Sequence, residues 1–457
     1  MTPSESDSGA SPSRSPRRAW TSSGSATTPA TLSRRQLLIR GARAVGVLGA
    51  GLTGATSFAT RAHAAGAGTG ADDFGPLQAP DANGIRLPAG FSSRVVATSG
   101  SSVPGTAHVW HAAPDGGATF ATDDDGWIYV SNAEIDAGAG GVGAIRFASD
   151  GSITDAYSIL SGTNRNCAGG PTPWQTWLSC EEVSLGRVFE CDPFAPGSQG
   201  VERPALGRFW HEAAAVDPIH RCIYLTEDQP NGLLYRFTPT AYPDLEAGQL
   251  EAAQILDPLG QGAISPGQTR PVAWHSIPDP MASNQATRLQ VANATSFDGG
   301  EGCWFQPGAL IFSTKGDDRV WTIDTSRGEI RILYDRATSS TPILSGVDNV
   351  VGLSNGDVYI AEDGGDLQIV ALTPSGQVVP VLQLTGQPSS EITGPALSPD
   401  GGRLYFSSQR TPGTTYEVTG PFEPTPVAVP TLGSLGWIGL GSSVIAALCR
   451  ESLTSEV

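Results

Sequence analysis

Residues 166–182 read NCAGGPTPWQTWLSCEE. The stretch holds a short apolar run, Thr176–Ser179, that ends on Cys180-Glu181-Glu182. A soft thiolate beside hard carboxylate oxygens suits a mixed metal centre better than a hydrophobic core. The same kind of run recurs along the chain at Trp127–Ser131, Cys222–Leu225, Ala309–Ser313, Asp357–Ala361 and Arg403–Ser407. Most follow a turn or Gly-rich bend, such as DDDG at 123–126 or SNGD at 354–357, and each is followed by a further strand-like segment. The six run starts are separated by 49, 46, 87, 48 and 46 residues. A period of about 40–50 residues built from short strands marks a β-propeller. The expected fold is therefore all-β, a six-bladed β-propeller spanning 93–422. The long gap implies an insertion within 238–296. Ser93–Ala97 is expected to close the ring against the last blade.

Polar groups gather at one end of the repeat. After each run come Asn132 and Glu134; Cys180, Glu181 and Glu182; Glu227 and Asp228; Lys315 with Asp317 and Asp318; Glu362 and Asp363; and Gln409 with Arg410. In a hairpin the start of one strand lies beside the end of its partner. The residues entering the paired strands are His111 and Asp115, Cys167 to Pro171, His211-Glu212, Glu301, Asp348-Asn349 and Glu391. Both sets should meet around one mouth. So many carboxylates with few cations raise one another's pKa, and bound cations relieve the conflict. Oxygen-rich positions favour Ca²⁺, and the thiolate favours iron. Lys315, the only lysine in the chain, and Arg410 are candidate contacts to an anionic substrate, with Arg165 a third. His211 is a weaker ligand candidate. Trp174, Trp177, Trp210 and Trp304 are read as packing between blades.

The ends of the chain read differently. Ser33-Arg34-Arg35-Gln36-Leu37-Leu38 is a twin-arginine motif, followed by a weakly apolar run and a small-residue cleavage site at Ala62-His63-Ala64. Residues 1–64 are thus an export signal and 65–92 a linker. The twin-arginine export machinery is an expected partner, and the location periplasmic, extracellular or cell-surface. Residues 1–64 hold 8 of the 27 basic and 2 of the 45 acidic residues, so the remainder carries 19 and 43, a net charge near −24. That excludes nucleic acid as a partner. The six cysteines show no CxxC and no regular spacing, which assigns no disulfide. Residues 423–457 contain Val429-Pro430-Thr431-Leu432 and an apolar run ending at Arg450. This tail resembles a C-terminal sorting segment and is a candidate for membrane association. A packed helix or an unstructured tail fits its short length equally. The propeller itself is expected to be a monomer.

Several blocks resemble the PhoX-type alkaline phosphatases. They are 166–182, GRFWHEAAAVDP at 207–218, IYLTEDQPNGLLYRF at 223–237, FDGGEGCWF at 297–305, DNVVGL at 348–353, VYIAEDGGD at 358–366 and SPDGGRLYFSSQR at 398–410. The similarity runs in order from about 105 to 420. TED at 226–228 and GGEG at 299–302 look like the family's shorter branch. The resemblance implies a six-bladed propeller that hydrolyses small phosphomonoesters at a cluster of Fe³⁺ and Ca²⁺. It implies that Cys180 ligates iron and that Glu181, Glu212, Glu301, Asp348 and Glu362 belong to metal-binding blocks. Glu134, Glu182, Glu227, Asp228 and Asp363 complete the expected ligand set. Lys315, Arg410 and Arg165 would contact the phosphate. Two other readings stay open: a calcium-dependent lactonase or esterase, and a binding propeller whose cations only brace the mouth. Neither needs a thiolate.

Overall fold

Six hairpin pairs stack around an axis. The computed structural model describes residues 70–422 apart from residue 411. The expectations for the export signal and the C-terminal tail lie outside the described residues. Blade one is Pro114–Ala121, Trp127–Ala133, Gly140–Phe147 and Ile153–Thr163. Blade two is Asn166–Pro171, Trp177–Glu181, Val188–Cys191 and Val201–Glu202. Blade three is His211–Asp217, Cys222–Glu227, Leu234–Ala241 and Asp244–Ile255. Blade four is Gly300–Gln306, Ala309–Thr314, Arg319–Asp324 and Glu329–Asp335. Blade five is Val347–Gly352, Val358–Glu362, Gln368–Leu372 and Val378–Leu384, with Ile85–Arg86 added at its outer edge. Blade six is Ile392–Leu397, Arg403–Ser408 and Thr414–Thr419, and its outer strand is Ser92–Thr98 from the other end of the chain. That pairing ties the two ends of the propeller together. It falls on the Ser93–Ala97 segment read from sequence.

Each inner strand touches the next, and blade six touches blade one, so the ring closes. The second strands are buried along their whole length in blades one, two, three and five. They have neighbours on both faces, and alternate residues serve opposite interfaces. Tyr129 packs toward blade six, whereas Ile128 and Val130 pack toward blade two. The six apolar clusters of the core correspond to the six blade-to-blade interfaces. Trp177 belongs to this packing and also donates its indole N–H to Asn132 of blade one at 2.9 Å. Asp244–Ile255 is the regular outer strand of blade three. The added material is Thr269–Ser276 with its flanking loops. That strand pairs with the outer strands of blades three and four and merges them into one nine-stranded sheet.

One irregularity repeats in every blade and positions the site. The inner strand carries a β-bulge near its start, where two residues face one on the second strand. The bulged pairs are Asp115-Gly116, Cys167-Ala168, Glu212-Ala213, Glu301-Gly302, Asp348-Asn349 and Gly394-Pro395. Five begin with an acid or a cysteine. The next residue is small in four of these five because the inner strands crowd at the axis. A Cβ on Gly302 would stand 2.4 Å from Val350 N, and one on Gly116 2.6 Å from Ala168 Cα. The inner strands enclose a small cavity of about 40 Å³ lined by Gly116, Ala168, Ala213, Gly302 and Gly394 among others.

Candidate metal centre

The bulges bring five donor side chains from blades one to five to a single rim. Second-strand ends add two more. Three overlapping groups result: Asp115, Glu134 and Cys167; Cys167, Glu182 and Glu212; Glu212, Glu301 and Asp348. Within each group one ligand atom per residue lies within 4.8 Å of the others. Cys167 and Glu212 are shared. Cys167 Sγ is 3.4 Å from Glu212 Oε1 and 3.7 Å from Asp115 Oδ2.

Three cations border this run. Arg165 donates to Glu134 and to Glu182, the latter at 2.6 Å. Its backbone lies in the left-handed region at φ 43°, an unfavourable place for a non-glycine residue. Hydrogen bonds from Arg165 N to Ile135 O and from Glu182 N to Arg165 O hold it there. Lys315 Nζ lies 2.9 Å from Glu301, 3.4 Å from Asp363 and 3.9 Å from Asp228. Arg410 pairs with Glu391 and lies 3.9 Å from Glu134, with its side chain 53% exposed. Gln409 bridges Asp115 and Glu134 with hydrogen bonds of 2.5 and 2.8 Å.

Nine carboxylates thus face three cations: Asp115, Glu134, Glu182, Glu212, Asp228, Glu301, Asp348, Asp363 and Glu391 against Arg165, Lys315 and Arg410. Burial pushes the carboxyls of Asp115, Glu212, Glu301 and Asp348 well above the usual range, and neighbouring acids add to it. Burial likewise pushes Glu182 and Glu391 up to about 8. It also raises the Cys167 thiol, with Asp115 and Glu212 contributing. Burial works against the charge on Lys315, but Glu301, Asp348 and Asp228 outweigh it and hold its pKa above the ordinary value. Glu212 Oε2 is buried without a hydrogen-bond partner. A buried carboxylate oxygen left unpaired is costly, and a cation satisfies it. The donor set therefore fits iron and calcium: one sulfur among many oxygens, with oxygen alone in the third group.

The structure separates Cys180, Glu181, Glu227 and Glu362 from this rim. Cys180 lies opposite the Cys167-Ala168 bulge and is fully buried. It packs in the interface with blade three, in a cluster containing Leu178, Val188, Leu206 and Phe209. The equivalent second-strand positions explain its direction. Asn132 donates to the Cys167 and Ala168 carbonyls, Thr226 to the Glu301 carbonyl and Ser313 to the Asp348 carbonyl. This position stitches a blade to its neighbour's bulge and does not face the mouth. The expected iron ligand Cys180 is thus corrected: the sulfur at the rim is that of Cys167.

Glu181, Glu227 and Glu362 also turn away. Each accepts a backbone N–H six residues on, from Arg187, Leu233 and Gln368 respectively. Glu181 also binds the Arg187 guanidinium at 2.6 Å, Glu227 the Tyr235 hydroxyl at 2.7 Å and Glu362 the Ser345 N–H at 2.8 Å. They brace the bends of their own blades. Successive residues of a strand point to opposite sides, so Glu182, Asp228 and Asp363 take the mouth side. Glu182 joins a donor group, while Asp228 and Asp363 serve Lys315. His211 is buried, donates its Nε2–H to Gly207 O at 3.1 Å, and packs on Phe209 with ring centroids 3.6 Å apart. Burial pushes its pKa down to about 3. Asp115 and Cys167 complete the donor run and were absent from the expected ligand set. Their signal is the alignment of DGG, CAG, EAA, EGC and DNV at 115, 167, 212, 301 and 348.

Residues 129–342 match the family model of alkaline phosphatase PhoX. The chain is similar to the PhoX alkaline phosphatases. The match includes Glu134, Arg165, Cys167, Glu182, Glu212, Glu301 and Lys315. Among solved structures, PhoX of Pseudomonas fluorescens in complex with vanadate, a transition state analogue, superposes with a TM-score of 0.60 at 16% identity, covering 76% of this chain and 98% of that one. A Bacteroides thetaiotaomicron protein of unknown function gives 0.46 at 11% identity, with 76% and 83% covered. A gluconolactonase of Xanthomonas campestris gives 0.40 at 14% identity, with 77% and 98% covered. No curated protein matches the chain.

Proposed function

We propose that the chain is a metal-dependent phosphoester hydrolase that releases phosphate from small phosphomonoesters at the propeller mouth. The observation that carries this reading is the run of three overlapping donor groups, with Cys167 and Glu212 shared, bordered by Arg165, Lys315 and Arg410. Likeness to the PhoX family over residues 129–342 supports it. We assign iron to the two groups that contain Cys167 and calcium to Glu212, Glu301 and Asp348. Bound cations would neutralise phosphoryl oxygens and lower the pKa of water at the site.

The protein's own side chains do the rest. The acids hold the cations in a row. Lys315 and Arg165 fix the phosphoryl oxygens from opposite sides of the run. Arg410, the most exposed of the three, closes on the ester from blade six, whose bulge carries Gly394 in place of a donor. The lactonase and bracing readings need oxygen donors alone, and the sulfur in two of the three groups favours the hydrolase. The Arg34-Arg35 motif supports an extracytoplasmic location.

The test is release of phosphate from 4-nitrophenyl phosphate by purified protein, abolished by EDTA and restored by iron with calcium. Metal-loaded protein that cleaves no member of a broad phosphoester panel would sink the proposal.

A further inference from the structure

The insertion between blades three and four borders a second cavity, of about 300 Å³. Strand direction places it on the same face of the ring as the mouth. Asp244–Ile255 of blade three ends on that face and Arg319–Asp324 of blade four starts there. The cavity opens between those two ends. Phe297, Trp321, Ile264 and Ile255 form its apolar wall. Phe297 packs edge-on to Trp321, with ring centroids 5.6 Å apart.

Its polar groups divide into paired and free. Arg270 pairs with Asp257, and Arg319 lies 2.9 Å from both Asp317 and Asp335. Both guanidinium groups are therefore neutralised. Asp298 is exposed at the rim, and its carboxylate makes no hydrogen bond or ion pair among the described residues. The cavity thus offers a ligand an apolar wall and a free acceptor, but no free cation.

Residues 298–299 and 315–316 form the saddle between this cavity, lined by Asp298 and Asp317, and Lys315 of the mouth. Lys315 N donates to Gly299 O at 2.8 Å and Gly316 N to Asp298 O at 2.9 Å. Gly299 has φ +68°, and a Cβ on Gly316 would stand 2.3 Å from Asp298 Cγ. Glycine is held at the first position by backbone conformation, and at the second the exposed Asp298 carboxylate lies against the glycine backbone. Lys315 reaches Glu301 on one side of this strip, and Asp298 lines the cavity on the other.

We propose that this cavity binds the leaving group of the substrate and selects a planar heteroaromatic ring with N–H donors, as in a nucleoside 5′-monophosphate. The inference rests on the phosphoester reading above. The phosphate would sit at Lys315, the sugar would cross the Gly299–Gly316 saddle, and the ring would lie in the apolar cavity with an amino group on Asp298. A pocket of this size buries most of such a ring. The free carboxylate supplies the specificity, because a ligand that leaves it unpaired forfeits the hydrogen bond.

Adenosine 5′-monophosphate and ribose 5-phosphate share the same primary alkoxide leaving atom and differ by the ring, so the ratio of their kcat/KM values reads the cavity. We expect the adenosine ester to be favoured by at least about tenfold. Ser296→Trp, which fills the cavity from its exposed rim, should abolish that ratio, and Asp298→Asn should reduce it. Ribose 5-phosphate turnover should stay unchanged in both. Equal kcat/KM values in the unaltered protein, or a ratio that survives Ser296→Trp, would overturn the proposal and leave the phosphatase reading intact. Adenosine titrated calorimetrically into metal-loaded protein gives a readout without hydrolysis. Binding that is lost in Ser296→Trp supports the cavity even if neither ester is cleaved, in which case the phosphatase reading alone falls. Absence of adenosine binding overturns the cavity assignment.

Discussion

Cys167→Ala and Cys180→Ala should separate the sulfur that can ligate from the sulfur that packs. Cys167 takes part in two of the three donor groups, with Sγ 3.4 Å from Glu212 and 3.7 Å from Asp115. Its removal takes one donor of three from two groups at once. Loss of a group that merely supports a metal ligand costs about 10–100-fold in affinity, and loss of a ligand itself should cost more. Iron should fall to background in Cys167→Ala, and phosphate release should fall with it. Cys180 instead fills space in the interface of blades two and three. Truncation there should cost about 1–2 kcal/mol of stability by cavity formation and leave the metal content unchanged. Cys180→Ser is the sharper variant. Thr226 and Ser313 at equivalent positions donate to the next blade's bulge carbonyl. A serine at 180 has the same geometry toward blade three, so its cost should stay within about 1 kcal/mol. Elemental analysis of each purified variant and urea unfolding in EDTA supply the measurements. Iron lost from Cys180→Ala and retained by Cys167→Ala would refute the reasoning.

Lys315→Met should lower kcat/KM for a phosphomonoester by about 100-fold or more, as removal of a group that stabilises developing charge does, with partial rescue by Lys315→Arg; an unchanged rate would remove Lys315 from the site. Glu362→Gln weakens acceptors of the Ser345 and Gln368 N–H groups, and should cost about 1–3 kcal/mol in urea unfolding with no change in metal content; metal loss without instability would return Glu362 to the ligands. Gly302→Ala sets a Cβ 2.4 Å from the Val350 backbone and should cost about 1–3 kcal/mol, read by the same unfolding curves. Burial holds the pKa of Glu182 and Glu391 at about 8, above the unfolded value. The folded state therefore binds more protons between about pH 4.5 and 8, and metal-free stability should fall as pH rises through that window. In EDTA the urea midpoint should drop from pH 5 to 8, and iron with calcium should flatten the curve. A midpoint that rises with pH in EDTA would contradict the charge crowding at the rim.

The repeat was readable because each blade is a local object. Short apolar runs at a period near 46–49 residues, each ending in polar groups, place six strand ends on one face whatever the blades later do. The two-residue alternation of a strand also separates Glu181 from Glu182, Glu227 from Asp228 and Glu362 from Asp363. Applied strictly, it would have sent one of each pair to a bend and the other to the mouth. The sulfur was harder. Cys167 and Cys180 face each other across one hairpin, and either fits a thiolate beside carboxylates. The bulge decides between them.

Composition and spacing are enough to specify an all-β ring, its closure by the Ser92–Thr98 strand and the kinds of donor atom at its mouth. They do not say which donors converge. That follows from crowding at the axis, where six inner strands meet and each takes up an extra residue. The bulge rotates Asp115, Cys167, Glu212, Glu301 and Asp348 toward the mouth, while the opposite positions, Asn132, Cys180, Thr226 and Ser313 among them, turn to the neighbouring blade. A side chain's direction there depends on a partner strand about 35–75 residues away in sequence. No local pattern in NCAGGPTPWQTWLSCEE contains that partner.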